Sequence, residues 1–456
     1  MEGINKISEI IRTLLERKKY PQLREMLACM EGADIAEVFT ELDTEQCLVV
    51  FRLLPKEIAS EAFVEMDADM QESLINSFTD KEITNLVEEL YYDDTADIIE
   101  EMPANVVQRI LKNALPDTRK AVNELLKYPE NSAGAIMTTE YVGLRKNLTV
   151  DQAFDFIRSV ALDKETVYSC YVTDNRKLIG VVSVKMMLLS PRDTAIEQIM
   201  DTNIISVRTN DDQEEIAAMF SKYNFLAMPV VDSEDRLVGI ITVDDAMDVL
   251  QEEAEEDFAK MAAMTPADRP YLKMPVLKIW ASRIPWLLIL MISATFTGII
   301  ITKFESALAS VVALTAVIPM LMDTGGNSGS QASVTIIRGI SLGEVEFKDI
   351  FKVIFKEFRV SILCGLSLAA AAFLKVMLVD RLLLHNEAVS LTVALVVCLT
   401  LAATVVLAKF IGCTMPLLAK KIGFDPAVMA SPLITTIVDA VSLLVYFGFA
   451  SWILHL

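Results

Sequence analysis

The chain closes with AVMASPLITTIVDAVSLLVYFGFASWIL (residues 427–454), two apolar runs on either side of one carboxylate, Asp439. A stretch of this length can span a bilayer, which needs about 20 apolar residues. An aspartate inside a spanning helix costs roughly 2.5 kcal/mol or more, so it faces a helix bundle or a water-filled path. It is therefore either bonded to a neighbouring helix or an ion ligand in a pore. The nearest basic residues of this segment, Lys420 and Lys421, lie well outside it, which favours the ion ligand.

Other long stretches without a charged residue precede this segment. They are residues 284–302, 306–322, 360–374 and 388–408. Together with the last stretch they predict a transmembrane domain of five helices over residues 275–456. Basic residues gather before the first helix, between the second and third, and between the fourth and fifth. By the positive-inside rule, we expect the N-terminal domains in the cytoplasm and the C-terminus outside the cell membrane.

The second predicted helix runs into a polar, glycine-rich segment, PMLMDTGGNSGSQASVTIIRG (319–339). Non-helical backbone at membrane depth is tolerated only inside the protein or along a watery cavity, and small residues allow close helix packing. We expect the apolar helix to be broken here. Whether residues 323–331 contact an ion or form a packing face stays open.

Charge divides the chain into two halves. Residues 275–456 hold 13 Lys/Arg and 10 Asp/Glu, whereas the first 274 residues hold 28 basic and 53 acidic residues. The large excess of acidic residues in the first half should repel nucleic acid and attract cations. Six scattered cysteines and two histidines make a zinc site unexpected. Because neither a nucleophile–base pair nor a GxxxxGK[ST] loop is present, the sequence does not predict an enzyme.

Residues 1–130 are predicted to form an all-α domain, because apolar residues recur there at spacings of three and four. From residue 42 onward, an apolar residue followed by a turn or capping residue recurs every 12 positions, with one extra residue before the last pair. Repeats of this kind predict a small superhelical array. The pairs are Leu42-Asp43, Leu54-Pro55, Met66-Asp67, Phe78-Thr79, Leu90-Tyr91, Met102-Pro103 and Leu115-Pro116.

Residues 131–250 hold a second repeat, of strands and helices, in copies at 131–198 and 199–250. VTDNRKLIGVVSV (172–184) in the first copy matches VDSEDRLVGIITV (231–243) in the second. Each copy is predicted to run strand, helix, strand, turn, strand, helix. The paired repeat resembles a tandem of CBS domains, which implies an α/β regulatory module.

The CBS resemblance also implies a nucleotide site. CBS domains that bind adenosine nucleotides carry Ser/Thr-x-x-Asp after the glycine-containing strand. The second copy has this pattern in Thr242 and Asp245, whereas the first has Ser183 but Met186 in place of the acid. The resemblance thus implies weakened binding in the first copy and leaves a site for a ligand such as ATP open in the second.

A long acidic helix is predicted to connect the CBS pair to the membrane, with its own segment at residues 251–274. TVDDAMDVLQEEAEEDFAKMAAM (242–264) carries eight carboxylates before its first lysine, Lys260. Such a run is either a solvated linker or a source of oxygen ligands for a hard divalent cation.

Segment 319–339, together with FDPAVMASPLITTIVDA (424–440), resembles the MgtE family of magnesium channels and transporters, and the domain order matches over the whole chain. The resemblance implies that Asp439 coordinates the ion in the pore. It also implies that acids of the soluble half bind regulatory Mg²⁺. At the matching positions stand Asp93, Asp97, Asp245, Asp248, Glu253, Glu256 and Asp257.

The sequence therefore predicts Mg²⁺ entry down its electrochemical gradient, closed by cytosolic Mg²⁺. Since one carboxylate per chain is few for a divalent ion, a homodimer with two Asp439 side chains at a shared axis is expected. One alternative is transport of another divalent cation, Mn²⁺ or Co²⁺, although the absence of Cys and His near Asp439 argues against a soft-metal pore. The other is a membrane sensor that conducts nothing and signals through its CBS pair. The sequence leaves open channel or carrier kinetics and the role of Asp425.

Overall fold

The computed structural model describes residues 2–266, 271–272, 274–310, 312–383, 385 and 390–455. They form two compact units, Met1–Leu250 and Gln251–Leu456. Part of the predicted connecting segment, residues 267–270 and 273, lies outside the described residues.

Short helices make up the N-terminal domain. They are α1 (Glu2–Glu16), α2 (Tyr20–Leu27), α3 (Gly32–Phe39), α4 (Thr44–Phe51), α5 (Lys56–Val64), α6 (Ala68–Ser77), α7 (Asp80–Glu89), α8 (Tyr92–Glu101), α9 (Ala104–Asn113) and α10 (Pro116–Leu125). Asp43 and Thr79 cap α4 and α7 by accepting hydrogen bonds from backbone N–H groups three residues on. Each of helices α4 to α10 begins at a predicted pair, which confirms the repeat.

Most of the apolar residues that close these units are buried. Leu54, Met66, Phe78, Leu90 and Met102 are all less than a tenth exposed. The sequence misplaced the last member. Ala114, at the regular spacing of 12, is buried, whereas Leu115 is an exposed helix cap.

Two three-stranded sheets follow, and both copies have the predicted order of elements. The first copy contains β1 (Gly143–Arg145), α11 (Val150–Val160), β2 (Ser169–Asp174), β3 (Lys177–Ser183) and α12 (Val184–Leu189). After α13 (Ile196–Ile199), the second contains β4 (Val207–Arg208), α14 (Gln213–Tyr223), β5 (Ala227–Val231), β6 (Leu237–Thr242) and α15 (Val243–Met261). In each sheet the first strand is parallel and the third antiparallel to the middle one.

The copies exchange their leading segments. Thr138 bridges to Ile240 in β6, and Asp201 bridges to Val181 in β3. The methionine before each bridge covers a glycine of the other copy, because a Cβ on Gly239 would lie 2.7 Å from the Met137 sulfur. This exchange accounts for the repeated Ile-Met and strand-glycine motifs.

The second unit is a bundle of long helices. Its elements are α16 (Val276–Lys303), α17 (Glu305–Ser310), α18 (Ile318–Ser341), α19 (Ile350–Leu374), a π-helical turn (Lys375–Leu383), α20 (Leu391–Lys421) and α21 (Ser431–Leu454). Four spans among the described residues are long and apolar enough to cross a membrane: Val276–Lys303, Phe347–Leu383, Leu391–Lys421 and Pro426–Leu454. Helix α18 is more polar than these four spans. It has 24 residues, which corresponds to a length of about 36 Å.

The second membrane helix differs from the prediction. The apolar stretch 306–322 is not one helix, because α17 and a 3₁₀ turn (Val312–Val317) precede α18. The predicted break is also wrong, since α18 runs without interruption through residues 323–331. Intrahelical hydrogen bonds satisfy its backbone, and its glycines serve close packing instead.

Glycines bring α18, α20 and α21 into close contact. A Cβ on Gly325 would lie 2.7 Å from Thr404 and 2.8 Å from Ser442 Oγ, and a Cβ on Gly326 would lie 2.7 Å from Thr435. A Cβ on Gly412 in α20 would collide with the Gly329 carbonyl oxygen. The packing-face interpretation therefore accounts for these glycines.

Replacing Gly412 should destabilise the bundle. We expect Gly412→Ala to lower the free energy of unfolding by about 1–3 kcal/mol, since overpacking forces the helices apart. Gly298→Ala in α16 is the control, because no described atom lies within 4 Å of its added Cβ. Thermal unfolding in detergent should show a lower Tm for Gly412→Ala alone. Equal Tm values would contradict the packing.

Candidate functional site

Asp439 lies on α21 at the centre of the bundle. Its carboxylate is half-buried, and Oδ1 is enclosed with no hydrogen-bond partner among the described residues. One turn later, Ser442 donates to the Val438 carbonyl oxygen at 2.6 Å rather than to the aspartate. A carboxylate bonded to a neighbouring helix would have a partner, so the arrangement favours the ion-ligand interpretation.

A second carboxylate, Asp323 on α18, is close enough to Asp439 to interact with it electrostatically. Asp323, Asn327 and Gln331 follow one another at intervals of four residues and are exposed, whereas the glycines of α18 pack on α20 and α21. In an α-helix this spacing places the three polar residues on one face. The face offers side-chain oxygen atoms, and those of Asp323 are near Asp439; oxygen ligands suit a hydrated hard cation.

Two further charged residues inside the bundle form an ion pair with each other. Lys409 Nζ on α20 lies 3.6 Å from Glu357 Oε2 on α19, and the side chains are 7% and 14% exposed. Each charge neutralises the other, so we assign the pair to helix packing.

Carboxylates of the soluble unit converge from three separate parts of the chain. We name these residues the acidic cluster: Asp93, Asp94, Glu140, Glu165, Asp244 and Asp245. The backbone N–H of Tyr92, at the start of α8, donates to Glu140 at 3.1 Å, and the N–H of Glu165 donates to the Glu140 carbonyl oxygen at 3.0 Å. The first bond joins the helical domain to the first CBS copy, and the second holds Glu140 and Glu165 together within that copy.

Burial and mutual repulsion raise the pKa of these carboxyl groups. The pKa of Asp94 rises to about 7 and that of Glu165 to about 8, first by burial and then by repulsion from Asp245. Burial raises the pKa of Asp93 well above its usual range. The pKa of Asp245 rises to about 6, although hydrogen bonds from Thr242 oppose the shift. The cluster therefore lacks balancing positive charge.

Two oxygens of the cluster have no protein partner. Asp93 Oδ1 and Glu165 Oε2 are buried without a hydrogen bond among the described residues. Within those residues, however, no three His, Cys, Asp or Glu side chains are arranged to hold a metal ion. The cluster has the right chemistry for a divalent cation, while its ligand set stays a prediction.

The other predicted regulatory acids lie elsewhere. Asp97 and Asp248 are exposed, and the pKa of Asp248 is raised by partial burial and by Asp244. Glu253, Glu256 and Asp257 belong to the second unit, on the last part of α15. Glu256 pairs with Lys260, and Asp257 accepts a hydrogen bond from Ser341. The structure thus brings Asp93 close to Asp245, and Asp248 is near enough to Asp245 to interact with it electrostatically.

The residues of the predicted nucleotide site are hydrogen-bonded to each other in the second CBS copy. Asp245 accepts hydrogen bonds from the Thr242 hydroxyl (2.6 Å) and N–H (3.2 Å), and its neighbours are the other carboxylates of the acidic cluster. In the first copy Ser183 caps α12, and Met186 offers no oxygen to a ribose. The first copy therefore lacks the predicted acid, whereas the second copy keeps both residues of the pattern, and nucleotide binding there stays a prediction.

Sequence reasoning missed Glu140 and Glu165. They are isolated acids in the first CBS copy, far in sequence from α8 and α15. The one available signal was the repeat itself, because an exchange of leading segments brings the residues after Met137 to β6.

An apolar helix bundle with a carboxylate at mid-helix, preceded by carboxylate-rich soluble domains, defines a membrane transporter of cations. Family models match in the same order: the MgtE intracellular N domain at residues 30–131, CBS domains at 133–190 and 196–252, and the MgtE divalent cation transporter domain at 318–449. The chain belongs to the MgtE family of divalent cation transporters, as its sequence predicted. It is therefore a membrane transporter rather than an enzyme.

Relatives match over nearly the full length. The chain is 35% identical to the magnesium transporter MgtE of Thermus thermophilus, with 99% of each chain covered. It is 33% identical to the magnesium transporter MgtE of Bacillus subtilis, with 97% of this chain and 96% of the relative covered.

Solved structures match the soluble half. One is the cytosolic domain of the Mg²⁺ channel MgtE in complex with ATP (36% identity, TM-score 0.51), covering 53% of this chain and 99% of that one. Another is the soluble part of a magnesium transporter (28% identity, TM-score 0.52), with 55% and 99% covered. The predicted multidomain fold, with helical domain, CBS pair and membrane helices, is confirmed.

Proposed function

We propose that the protein admits Mg²⁺ to the cytoplasm down its electrochemical gradient and that cytosolic Mg²⁺ closes it. The observation that carries the proposal is the enclosed, unpartnered carboxylate of Asp439 beside the polar face of α18. Relatives named magnesium transporters support the choice of ion. A membrane potential of 100 mV supplies roughly 4.6 kcal/mol for a divalent ion, so no ATPase is needed.

Mg²⁺ sheds its water reluctantly, so a pore that holds the hydrated ion suits it. In this mechanism Asp439 attracts the ion and its oxygens bind the hydration water. Asn327 and Gln331 supply further hydrogen-bonding groups. The absence of Cys and His near Asp439 in the sequence disfavours a soft-metal pore, and competition by Mn²⁺ or Co²⁺ in the flux assay below tests the alternative.

We propose a homodimer in which two copies of Asp439 share the pore axis. Polar residues on a membrane helix are costly against lipid, so a second chain or water must cover Asp323, Asn327 and Gln331. The CBS pair also has large apolar side chains exposed at corresponding places in both copies. These are Tyr168, Met186, Leu188 and Leu189 in the first copy and Leu226, Met247 and Leu250 in the second.

For gating we propose that Mg²⁺ neutralises the acidic cluster and so holds the helical domain against the CBS pair. Two buried oxygens that have no partner among the described residues, and four carboxyl groups with raised pKa, support this step. The ion contributes only its difference in affinity between the closed and open states. ATP at Thr242 and Asp245 of the second CBS copy is a further proposed ligand, and the related cytosolic domain solved in complex with ATP supports it.

Purified protein in liposomes that contain a Mg²⁺-sensitive dye tests the transport proposal. A potential negative inside should drive Mg²⁺ entry, and Mg²⁺ on the cytoplasmic side should stop it. Absence of flux from folded protein would leave the non-conducting sensor as the better interpretation.

The stability of the soluble part should fall as pH rises. Asp94, Glu165 and Asp245 bind protons more tightly when folded, so their contribution is complete near pH 4 and is lost as pH rises through about 8. In EDTA we expect the Tm of the separately expressed soluble part to drop by roughly 5 °C between about pH 5.5 and 8.5. Millimolar Mg²⁺ should reduce the drop.

The matched control for this pH series is Asp94→Asn with Glu165→Gln and Asp245→Asn, which removes the titrating groups. Its Tm should vary less with pH. A wild-type Tm that rises over the same range would contradict the account of the cluster.

A further inference from the structure

The end of the connecting helix meets the membrane bundle through a small set of polar contacts. Lys260 Nζ on α15 lies 2.6 Å from Asp425 Oδ2 and 2.5 Å from Glu256 Oε1. Asp425 lies six residues before the start of α21, the helix that carries Asp439. One ammonium group therefore joins the connecting helix to the approach to the pore helix.

Neighbouring contacts fix the same junction. Ser341, the last residue of α18, donates to Asp257 Oδ2 at 3.3 Å. Met261 packs against a small cluster of Ile337, Ala427 and Ala430. The end of the connecting helix thus contacts α18 and the turn that leads into α21.

The three charges at this junction depend on one another. Burial opposes the charged form of Lys260, but hydrogen bonds to Asp425 and Glu256 outweigh it and raise the pKa of the lysine. The pKa of Asp257 is raised by burial and then by Asp425, so a cation is needed to keep these carboxylates together. Only 24% of the Lys260 side chain is exposed, which limits solvent screening of the pair.

We propose that Lys260 is a positioning residue for gating: its ammonium group is a built-in cation that holds the connecting helix against Asp425 and favours closure. The inference rests on the proposed function for its effect on current. It also changes the assignment of Glu256, whose carboxylate is already neutralised by Lys260 and is less available to a regulatory Mg²⁺.

Hydrogen exchange of the full chain in lipid nanodiscs, without divalent cations, tests the contact itself. Lys260→Met keeps the apolar stem and removes the charge, so residues 251–261 should exchange several-fold faster than in wild type. Lys260→Arg should restore protection. Lys420→Met is the charge control, because Lys420 is an exposed lysine near the same end of the bundle. Unchanged exchange in Lys260→Met would overturn the proposal.

Patch-clamp current then tests the gating role. In Lys260→Met the half-inhibitory Mg²⁺ concentration should rise roughly tenfold while the conductance of the open pore stays constant, and Lys260→Arg should behave as wild type. Asp425→Asn should match Lys260→Met and add nothing to it, since Asn keeps the oxygen that accepts from the Ala427 N–H.

The outcomes separate the two proposals. Faster exchange with an unchanged Mg²⁺ response would overturn the gating role of Lys260. Wild-type current that Mg²⁺ does not inhibit would instead contradict the proposed gating, while the exchange experiment would still decide whether Lys260 holds the junction.

Discussion

Asp439→Ala should abolish the Mg²⁺ current of reconstituted protein, and Asp439→Asn should reduce it to roughly 1% of wild type. Asp439 is half-buried in the bundle, and its Oδ1 has no hydrogen-bond partner among the described residues, so no protein donor there competes with a passing ion. Loss of about 2.7 kcal/mol of attraction for the ion corresponds to roughly a hundredfold. Single-channel recording from giant liposomes, with Mg²⁺ as the sole permeant cation, measures the effect.

A carboxylate control separates this effect from a general loss of charge. Glu305 is exposed on α17, so Glu305→Gln should leave the current unchanged. Asp323→Asn should give an intermediate loss, because the second carboxylate lies beside Asp439 without being enclosed. The Asp439 variants should retain the wild-type gel-filtration volume and Tm. Normal current in a folded Asp439→Ala protein would refute the ion path.

The same substitution tests the shared axis. In a heterodimer of one wild-type and one Asp439→Ala chain, isolated through two different affinity tags, a pore shared by both chains should conduct at an intermediate level that differs from half the number of normal channels. Two populations, one normal and one silent, would instead indicate a separate path through each chain.

Local patterns predicted the soluble fold well. Asp43 and Thr79 cap helices by accepting hydrogen bonds from N–H groups three residues later. Because such contacts are local, the 12-residue repeat could be predicted from the sequence. The misplacement of Leu115 has a physical cause, because spacing identifies the buried position better than residue size does. In α18 the glycine-rich composition predicted a broken helix. The helix is nevertheless continuous, because its intrahelical hydrogen bonds are kept and neighbouring helices pack against the glycines.

Long-range placement was beyond the sequence. Asp93 and Asp97 lie one turn apart on α8, yet Asp93 is buried and interacts with Asp245, whereas Asp97 is exposed. Their surroundings depend on Glu140 and Glu165, which come close only after the CBS copies exchange their leading segments. Likewise, a run of acids on α15 did not reveal that Lys260 neutralises Glu256.

Neutralising the acidic cluster should remove inhibition by cytosolic Mg²⁺. We expect Asp93→Asn with Asp94→Asn and Glu165→Gln to raise the half-inhibitory Mg²⁺ concentration at least tenfold, a change of about 1.4 kcal/mol in the closing equilibrium. These side chains keep their shape but cannot bridge through a divalent ion. Patch-clamp recording with Mg²⁺ stepped on the cytoplasmic side measures the shift.

The controls distinguish the acidic cluster from net charge. Glu88→Gln, Glu101→Gln and Glu215→Gln remove the same charge from exposed sites and should leave inhibition intact. Asp97→Asn with Asp248→Asn separates the buried acids from predicted ligands that are exposed, and we expect a smaller shift from it. Full inhibition of the cluster variant at unchanged Mg²⁺ concentration would place the sensor elsewhere.

Neutralisation has two opposing effects on the resting state, and their balance decides what the cluster variant does without Mg²⁺. Removing repulsion favours contact between the helical domain and the CBS pair, whereas removing the charges also removes the attraction that an ion supplies. Amide groups in the same places offer only hydrogen bonds that water provides equally well. We therefore expect a variant that stays open, and current that is permanently absent would mean that repulsion alone holds the wild type open.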